Sequence, residues 1–364
     1  MNYLIIRNDG IGDLIVSTPL ITEIRKIDKE AVFYLICSNR NVDFGKMLLN
    51  DDFIHFLLNG DEYKFRLVRF YKIISKLSYV KFESIFILKS NYFNVLIAIF
   101  LRAKKIHSII FKNLSKNKKI RYTPFLKLSK SIFESYEIID SSNDFENNFS
   151  KHMSDHFFSL LHNSFSSSKQ IKLPRYYEPK VINLFTKKLN EHCRNKNNLK
   201  KILIFHLDEK WNNAKLSNNE FIDLFKSIQE IFKGLIIITN GIKFNKYENN
   251  LIKEFKFNQK IDLGDINSDL NIVGSSELDN LYFIDNLKIQ ELFALIKISS
   301  LVIEYHGALT HIASIYNVPL IDLIDYRRKN FFYKWKPKSD KSCQIDVNNS
   351  MEIILKLKEY LEIN

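Results

Sequence analysis

The first eighteen residues, MNYLIIRNDGIGDLIVST, change hydrophobic period within a single turn. Residues 3–6 form an unbroken apolar run, as a strand buried on both faces requires. Arg7, Asn8, Asp9, Gly10, Ile11, Gly12 and Asp13 follow, packing two glycines and two aspartates into one turn. Beyond them Leu14, Ile15, Pro19, Leu20, Ile21 and Ile24 recur at helical spacing. Strand, glycine turn, helix is the opening of a βα unit in an open α/β sheet. In such sheets ligands collect beyond the carboxyl ends of the strands. That puts Gly10, Gly12 and Asp13 at the mouth of a crevice.

The same punctuation recurs along the chain. Residues 31–37 (AVFYLIC), 53–58, 82–88 and 107–111 read as strands, and residues 64–77 and 92–101 as helices. Strands that are continuously apolar, separated by helices, predict a parallel sheet. Residues 112–148 read as irregular and polar. Residues 149–161 read as a helix with His152 and His156 on one face. That spacing can hold a metal, but no third ligand accompanies it, so a structural role is expected. The small, polar stretch 164–172 (SFSSSKQIK), followed by Leu173-Pro174, reads as the hinge between two domains, residues 1–170 and 171–364.

The second half restarts strand-first with residues 201–207 (KILIFHL), and the loop beyond carries Asp208, Glu209, Lys210 and Trp211. Helices are expected at 218–232, 248–255 and 289–298, and strands at 235–238 and 281–283. A strand at 301–304 then leads into HGALTHIASIYNVPLIDLI, a second strand, glycine turn and helix. Here backbone N–H groups at Gly307, Ala308 and Leu309 are placed to hold a phosphate at the helix start. His311 falls on the first turn, where an imidazole can donate to ligand oxygens. A strand at 343–347 and a helix at 351–361 complete the chain.

At 364 residues and 46% hydrophobic content, the chain is long enough for two buried cores. A formal charge of +13 attracts nucleic acid, anionic membrane or acidic substrates. No zinc-finger spacing, RNA-recognition signature or long Lys/Arg run supports nucleic acid. The short basic clusters at 104–105, 116–121 and 327–329 suit phosphorylated glycolipids and anionic headgroups, or simply a solvated surface. Cys37, Cys193 and Cys343 lie too far apart for a metal motif or a disulfide framework. No charged segment followed by an apolar one marks a signal peptide, and the longest apolar stretch is shorter than the roughly 20 residues that span a bilayer. The expected location is the cytoplasm, peripheral to a membrane.

An aspartate at a helix start is ordinarily a cap. Asp13 also gains as an anion from the helix dipole, which equips it to accept a proton. The spacing Gly10-x-Gly12 does not extend to GxGxxG, so no dinucleotide fingerprint is present. Lys210, at the end of a strand, is either a surface lysine or a point charge for a diphosphate.

The stretch IIRNDGIGDLIVSTPLITEIRK resembles the N-terminal signature of the heptosyltransferase family, glycosyltransferase family 9. That signature is an apolar strand, Arg or Lys, a polar turn, Gly-Asp, and Thr-Pro-Leu. The resemblance implies that Asp13 is the catalytic base. Lys210-Trp211 is similar to a basic-Trp pair whose cation contacts donor phosphates. His311-Ile312-Ala313-Ser314 matches the end of a second family motif, but His306, Gly307 and Ala308 replace its usual Asp, Ser/Thr and Gly. The donor-binding set implied is therefore Lys210, His306, Gly307, Ala308, Leu309, Thr310 and His311, with the family's acidic residue missing at His306.

The implied architecture is two facing Rossmann-like α/β domains, the GT-B arrangement, with an active site in the interdomain cleft. The N-terminal domain would bind the acceptor and the C-terminal domain the nucleotide sugar, with the last helix packing back on the first domain. The implied activity is inverting, metal-independent transfer of a heptose or related sugar. ADP-heptose or another nucleotide sugar would be the donor substrate, with no separate cofactor. The acceptor would be an anionic glycolipid or oligosaccharide of lipopolysaccharide core or another surface glycan. Contact with the inner-membrane surface is expected, and nucleic-acid binding is not. Two other readings stay open: a nucleotide-sugar epimerase of the same fold, and a non-catalytic basic module for membranes or nucleic acid.

Overall fold

A computed structural model of the chain describes residues 1–50, 52–62, 64–112, 131–140, 152–161, 187, 201–241, 245–261, 271–285 and 287–363. The chain divides into two units, Met1–Tyr176 with Tyr333–Lys336, and Tyr177–Phe332 with Pro337–Asn364. The hinge expected at 164–172 lies outside the described residues.

The first unit holds β1 (Asn2–Ile6), β2 (Val32–Cys37), β3 (Phe56–Asn59), β4 (Phe82–Ile87), β5 (Lys105–Lys112) and β6 (Ser135–Asp140). They form one sheet in the order β3-β2-β1-β4-β5-β6, and every pairing is parallel. This is the doubly wound order, whose direction reverses between β1 and β4. The crossover helices are α1 (Ile11–Ile27), α2 (Val42–Asn50), α3 (Arg66–Leu77) and α4 (Tyr92–Phe100). The strands are buried as their apolar runs demand: Leu4, Ile6, Ile36, Ile85 and Ile87 are all at most 1% exposed. β6 corrects the reading of residues 112–148 as wholly irregular. Its sequence, SYEIID, mixes polar and apolar residues because it is an edge strand with one neighbour. α2 is also new, and it is short.

α1 contains Pro19, which cannot donate to the carbonyl of Ile15 four residues back. Thr18 Oγ1 donates to that carbonyl instead, at 2.8 Å. The Thr-Pro pair therefore keeps the helix continuous and its acceptor satisfied.

The second unit repeats the plan. Its strands are β7 (Ile202–Leu207), β8 (Leu235–Asn240), β9 (Phe257–Ile261), β10 (Asn271–Ser275), β11 (Leu281–Asp285), β12 (Leu301–Tyr305), β13 (Leu320–Ile324) and β14 (Ser342–Asp346). The order is β14-β13-β12-β7-β8-β11-β10-β9, with reversal between β7 and β12. Only β10 runs against the rest, antiparallel to both β11 and β9, and this β9–β10 edge addition is one that periodicity did not disclose. The helix Asn218–Ile231 starts with a capping box: Ser217 Oγ accepts from Glu220 N–H, and Glu220 accepts from Ser217 N–H. The C-terminal helix Ser350–Ile363 packs on that helix and on β13 and β14. It buries Ile353 and Leu357, and Tyr360 donates to Ser300 O at 2.7 Å.

Among the described residues no helix is long and apolar enough to cross a membrane.

Candidate functional site

The doubly wound order predicts a ligand crevice where strand direction reverses. In the first unit this lies beyond β1 and β4. Arg7, the last residue before the glycine turn, is wholly buried there. Its guanidinium donates to Leu88 O, after β4, and to Asp13 Oδ1 at 3.1 Å, and it stacks over the Phe157 ring at 5.4 Å. Arg7 Nε is 3.0 Å from Asp9 Oδ1, an ion pair in which neither atom has an aligned hydrogen bond. Burial pushes the Asp9 carboxyl up to about 6, Arg7 opposes that, and Asp13 adds to it.

Asp13 is the third residue of α1. Its Oδ2 accepts from Gly10 N–H at 3.1 Å, so the capping role is real. Its Oδ1 takes Arg7, yet 32% of the side chain stays exposed. The carboxylate is therefore fixed in direction from below while its free lone pairs face outward. Asn8 exchanges two hydrogen bonds with Asn94 of α4, at 2.9 and 3.1 Å, and Asn41 donates to Arg7 O at 2.9 Å. These amides clamp the turn to its neighbours. Beside it a cavity of about 330 Å³ is lined by Asn8, Gly60, Asp61, Arg66, Arg69 and residues 91–93.

In the second unit the reversal lies between β7 and β12, and the two loops singled out in the sequence both fall there. Lys210 Nζ donates to His306 O at 2.7 Å and pairs with Asp208 Oδ2 at 2.8 Å. Lys210 thus bridges the loops after β7 and β12. Burial works against its charge, but Asp208 and Glu304 outweigh burial and raise its pKa. The side chain is still 37% exposed. Gly307 leaves room for this crossing: a Cβ there would stand 2.3 Å from Glu304 Oε1 and 2.4 Å from Lys210 Nζ and would displace both side-chain ends. Trp211, fully buried, donates from Nε1 to His206 O at 2.9 Å and anchors the loop.

Beneath these loops runs a polar row that the sequence reading missed. Strand register aligns Thr239, His206, Glu304, Asp322 and Gln344 on five adjacent strands. His206 Nδ1 is 2.8 Å from Thr239 Oγ1, and Gln344 donates to Asp322 Oδ2 at 2.7 Å. His306, in the loop above, donates from Nδ1 to the Asp322 carboxylate at 2.8 Å. Burial pushes Glu304 up to about 8 and His206 down to about 4, favouring the neutral form of each. Thr310 explains how the row is satisfied. Its hydroxyl accepts from Gly307 N–H and lies 3.2 Å from Glu304 Oε2 and 3.0 Å from Asp322 Oδ1. One hydroxyl has one proton. Protonated Glu304 donates to Thr310, and Thr310 donates to Asp322, which closes the chain.

The acidic residue is still missing at position 306 itself. Two carboxyl groups reach the site from the strands, Glu304 and Asp322, and one of them orients His306. The signal was available as a single acid inside each wholly apolar strand, LVIEY and LIDLI. Thr310 is fully buried and committed to this network, as is Gly307 N–H. Ala308 and Leu309 open the helix Ala308–Ile315. His311 is buried with its ring edge-on to His306, centroids 5.7 Å apart.

His206, Asp208 and Glu304 present donor atoms within 4.8 Å of one another. Lys210 Nζ reaches the same place, 2.8 Å from Asp208 Oδ2. His152 caps the helix Met153–Ser159 by accepting from Ser154 N–H, and His156 Nδ1 lies 3.1 Å from Glu137 Oε2.

No family model matches the sequence, and no curated protein matches it. Solved structures match over the whole chain. A family 9 glycosyl transferase from Veillonella parvula superposes with a TM-score of 0.65 at 11% identity, covering 99% of this chain and 91% of that one. E. coli heptosyltransferase WaaC, solved with ADP, gives 0.63 at 10% identity, covering 100% and 99%. A UDP-GlcNAc 2-epimerase from Methanocaldococcus jannaschii follows at 0.50 and 14% identity, covering 99% and 92%. The fold is thus that of the family 9 and heptosyltransferase structures, two parallel-sheet α/β domains of the GT-B type.

Proposed function

We propose that the protein is a glycosyltransferase that moves a heptose or related sugar from a nucleotide-sugar donor to a lipopolysaccharide-core or other surface-glycan acceptor. Two observations, one in each unit, carry this reading: a part-exposed carboxylate, Asp13, in the glycine turn after β1, and a part-exposed ammonium, Lys210, in the loop after β7. Asp13 takes the proton of an acceptor hydroxyl. The resulting oxygen attacks the anomeric carbon as the bond to the diphosphate breaks, inverting that carbon in one displacement. The departing nucleoside diphosphate is stabilised by Lys210 and by the N–H groups of Ala308 and Leu309. His306, held by Asp322, adds a hydrogen bond to a phosphate or to the sugar. Lys210 supplies the positive charge that a divalent ion provides in other transferases. The solved relative with ADP supports a nucleoside diphosphate as the leaving group, and ADP-heptose as the first donor to try.

The cavity beside Asn8, with Arg66 and Arg69 on its wall, suits an anionic glycolipid or oligosaccharide acceptor. The +13 charge supports work at the cytoplasmic face of an anionic membrane.

A panel of nucleoside diphosphates and nucleotide sugars, screened by thermal shift, tests the donor half, because a bound ligand raises stability by mass action. A stabilising nucleotide sugar whose diphosphate is released only when a glycan acceptor is added supports transfer. No stabilisation by any member overturns it. An epimerase is the second reading, favoured by Glu304 and the His306–Asp322 pair as acid/base groups. Isomerisation of the nucleotide sugar without acceptor decides for it.

A further inference from the structure

The first unit carries an unusual surface. Eight of the sixteen exposed large hydrophobic side chains among the described residues lie between Phe65 and Phe100. On α3, Leu67 is 84% and Tyr71 70% exposed, one helical turn apart, with Phe65 and Val68 beside them. The opposite face of α3 is also apolar, burying Ile73 and Leu77. On α4, Tyr92, Leu96 and Phe100 form an exposed stripe at four-residue spacing. Phe70 joins the two helices, its ring edge-on to Phe100 at 5.1 Å. Residues 64–81 contain Lys64, Arg66, Arg69, Lys72, Lys76 and Lys81 and no acid. Arg69 and Lys76 pair with Asp61 and Glu62, which precede the helix. Arg66 makes no ion pair among the described residues.

We propose that the exposed face of α3 and α4 is a docking surface for an anionic lipid leaflet. An apolar face flanked by Lys and Arg is the pattern of helices that lie in the membrane interface. Tyr71 and Tyr92 suit the headgroup boundary, where an apolar ring and a polar hydroxyl are both satisfied, and Phe65 adds apolar surface beside them. A second copy of the chain is a poorer occupant. Twofold pairing of this face would set residues 64–81 against the same run of cations. The surface also adjoins the cavity, since Arg66 and Tyr92 belong to both. A chain lying on the leaflet therefore opens that cavity toward headgroups of the membrane. This last point rests on the glycosyl-transfer reading. The docking itself does not.

Co-sedimentation of the purified protein with vesicles of phosphatidylcholine alone and with added phosphatidylglycerol tests it. Binding is expected to the anionic vesicles and to weaken with salt. Leu67→Ser with Tyr71→Ser should lower partitioning at least tenfold and keep the salt dependence. Arg66→Gln with Lys72→Gln should lower it about fivefold per charge and flatten the salt dependence. Lys46→Gln, on α2, changes the net charge elsewhere and should have no such effect. All are exposed positions, and circular dichroism checks that the fold is kept. Three results overturn the proposal: no binding to anionic vesicles, unchanged binding by the Leu67/Tyr71 variant, or loss of these residues' exposure in a concentration-dependent dimer seen by sedimentation. Vesicle binding is read without any sugar transfer, so failure of the enzymatic reading leaves its result intact.

Discussion

The two units place charge at the same topological point with opposite logic. In the first, a cation is buried and an anion presented: Arg7 is wholly enclosed while Asp13 keeps a third of its surface. In the second, anions are buried and a cation presented: Asp208 and Asp322 lie beneath, and Lys210 reaches out. Both arrangements solve one problem. A group that must meet a ligand with a fixed direction needs a buried partner of opposite charge, because burial without one costs several kcal/mol. The outward anion suits proton abstraction and the outward cation suits a diphosphate. In the proposed reaction, its two halves fall to two loops built on one plan.

The largest effect expected concerns chemistry. Asp13→Asn keeps an oxygen for Gly10 N–H, so the helix cap survives. It removes the proposed base, and transfer should fall about 10²–10⁴-fold. Initial rates with donor and acceptor saturating check this. Removing the buried half should instead damage the fold. Arg7→Met strands Asp9 and Asp13 without their cation and should cost about 3–5 kcal/mol in urea denaturation. Lys210→Met should weaken nucleoside diphosphate binding about 10–100-fold, the worth of a hydrogen bond to a charged group, with a calorimetric titration as readout.

Glu304 gives a test of the buried row through pH. Its folded pKa, about 8, lies above the unfolded value near 4.5, so the native state holds the extra proton between them. The native state then binds more protons than the unfolded state, and stability falls as pH rises through that window. Glu304→Gln should flatten the fall and gain about 2 kcal/mol at pH 9 relative to pH 6, measured by denaturation at both values. An unchanged slope would mean that Glu304 is ionised and the Thr310 chain runs otherwise. The smallest effect is at Thr18, where replacement by Val frees the Ile15 carbonyl and should cost about 1 kcal/mol.

Much of this was legible in the sequence because parallel strands buried on both faces leave continuous apolar runs. The helix Ile289–Ile298 and the strands β1, β7 and β12 fall where periodicity put them. β6 and the β9–β10 pair were not legible, since edge strands mix polar residues with apolar ones and lose the period. The turn at Asp13 and the turn at Gly307 could be named from local chemistry. Arg7 and Asp322 could not be given roles, because each acts on a partner that only the sheet brings near: Arg7 on Leu88 and Asp322 on His306. A charged residue within or ending an apolar strand was the available sign.

The division of labour between the two units is tested most directly by titrating a nucleoside diphosphate, ADP first, into the wild-type protein, Asp13→Asn and Lys210→Met. The account predicts equal affinity for wild type and Asp13→Asn and at least tenfold weaker binding by Lys210→Met. Equal affinity in all three, or a loss in Asp13→Asn as large as that in Lys210→Met, would contradict it.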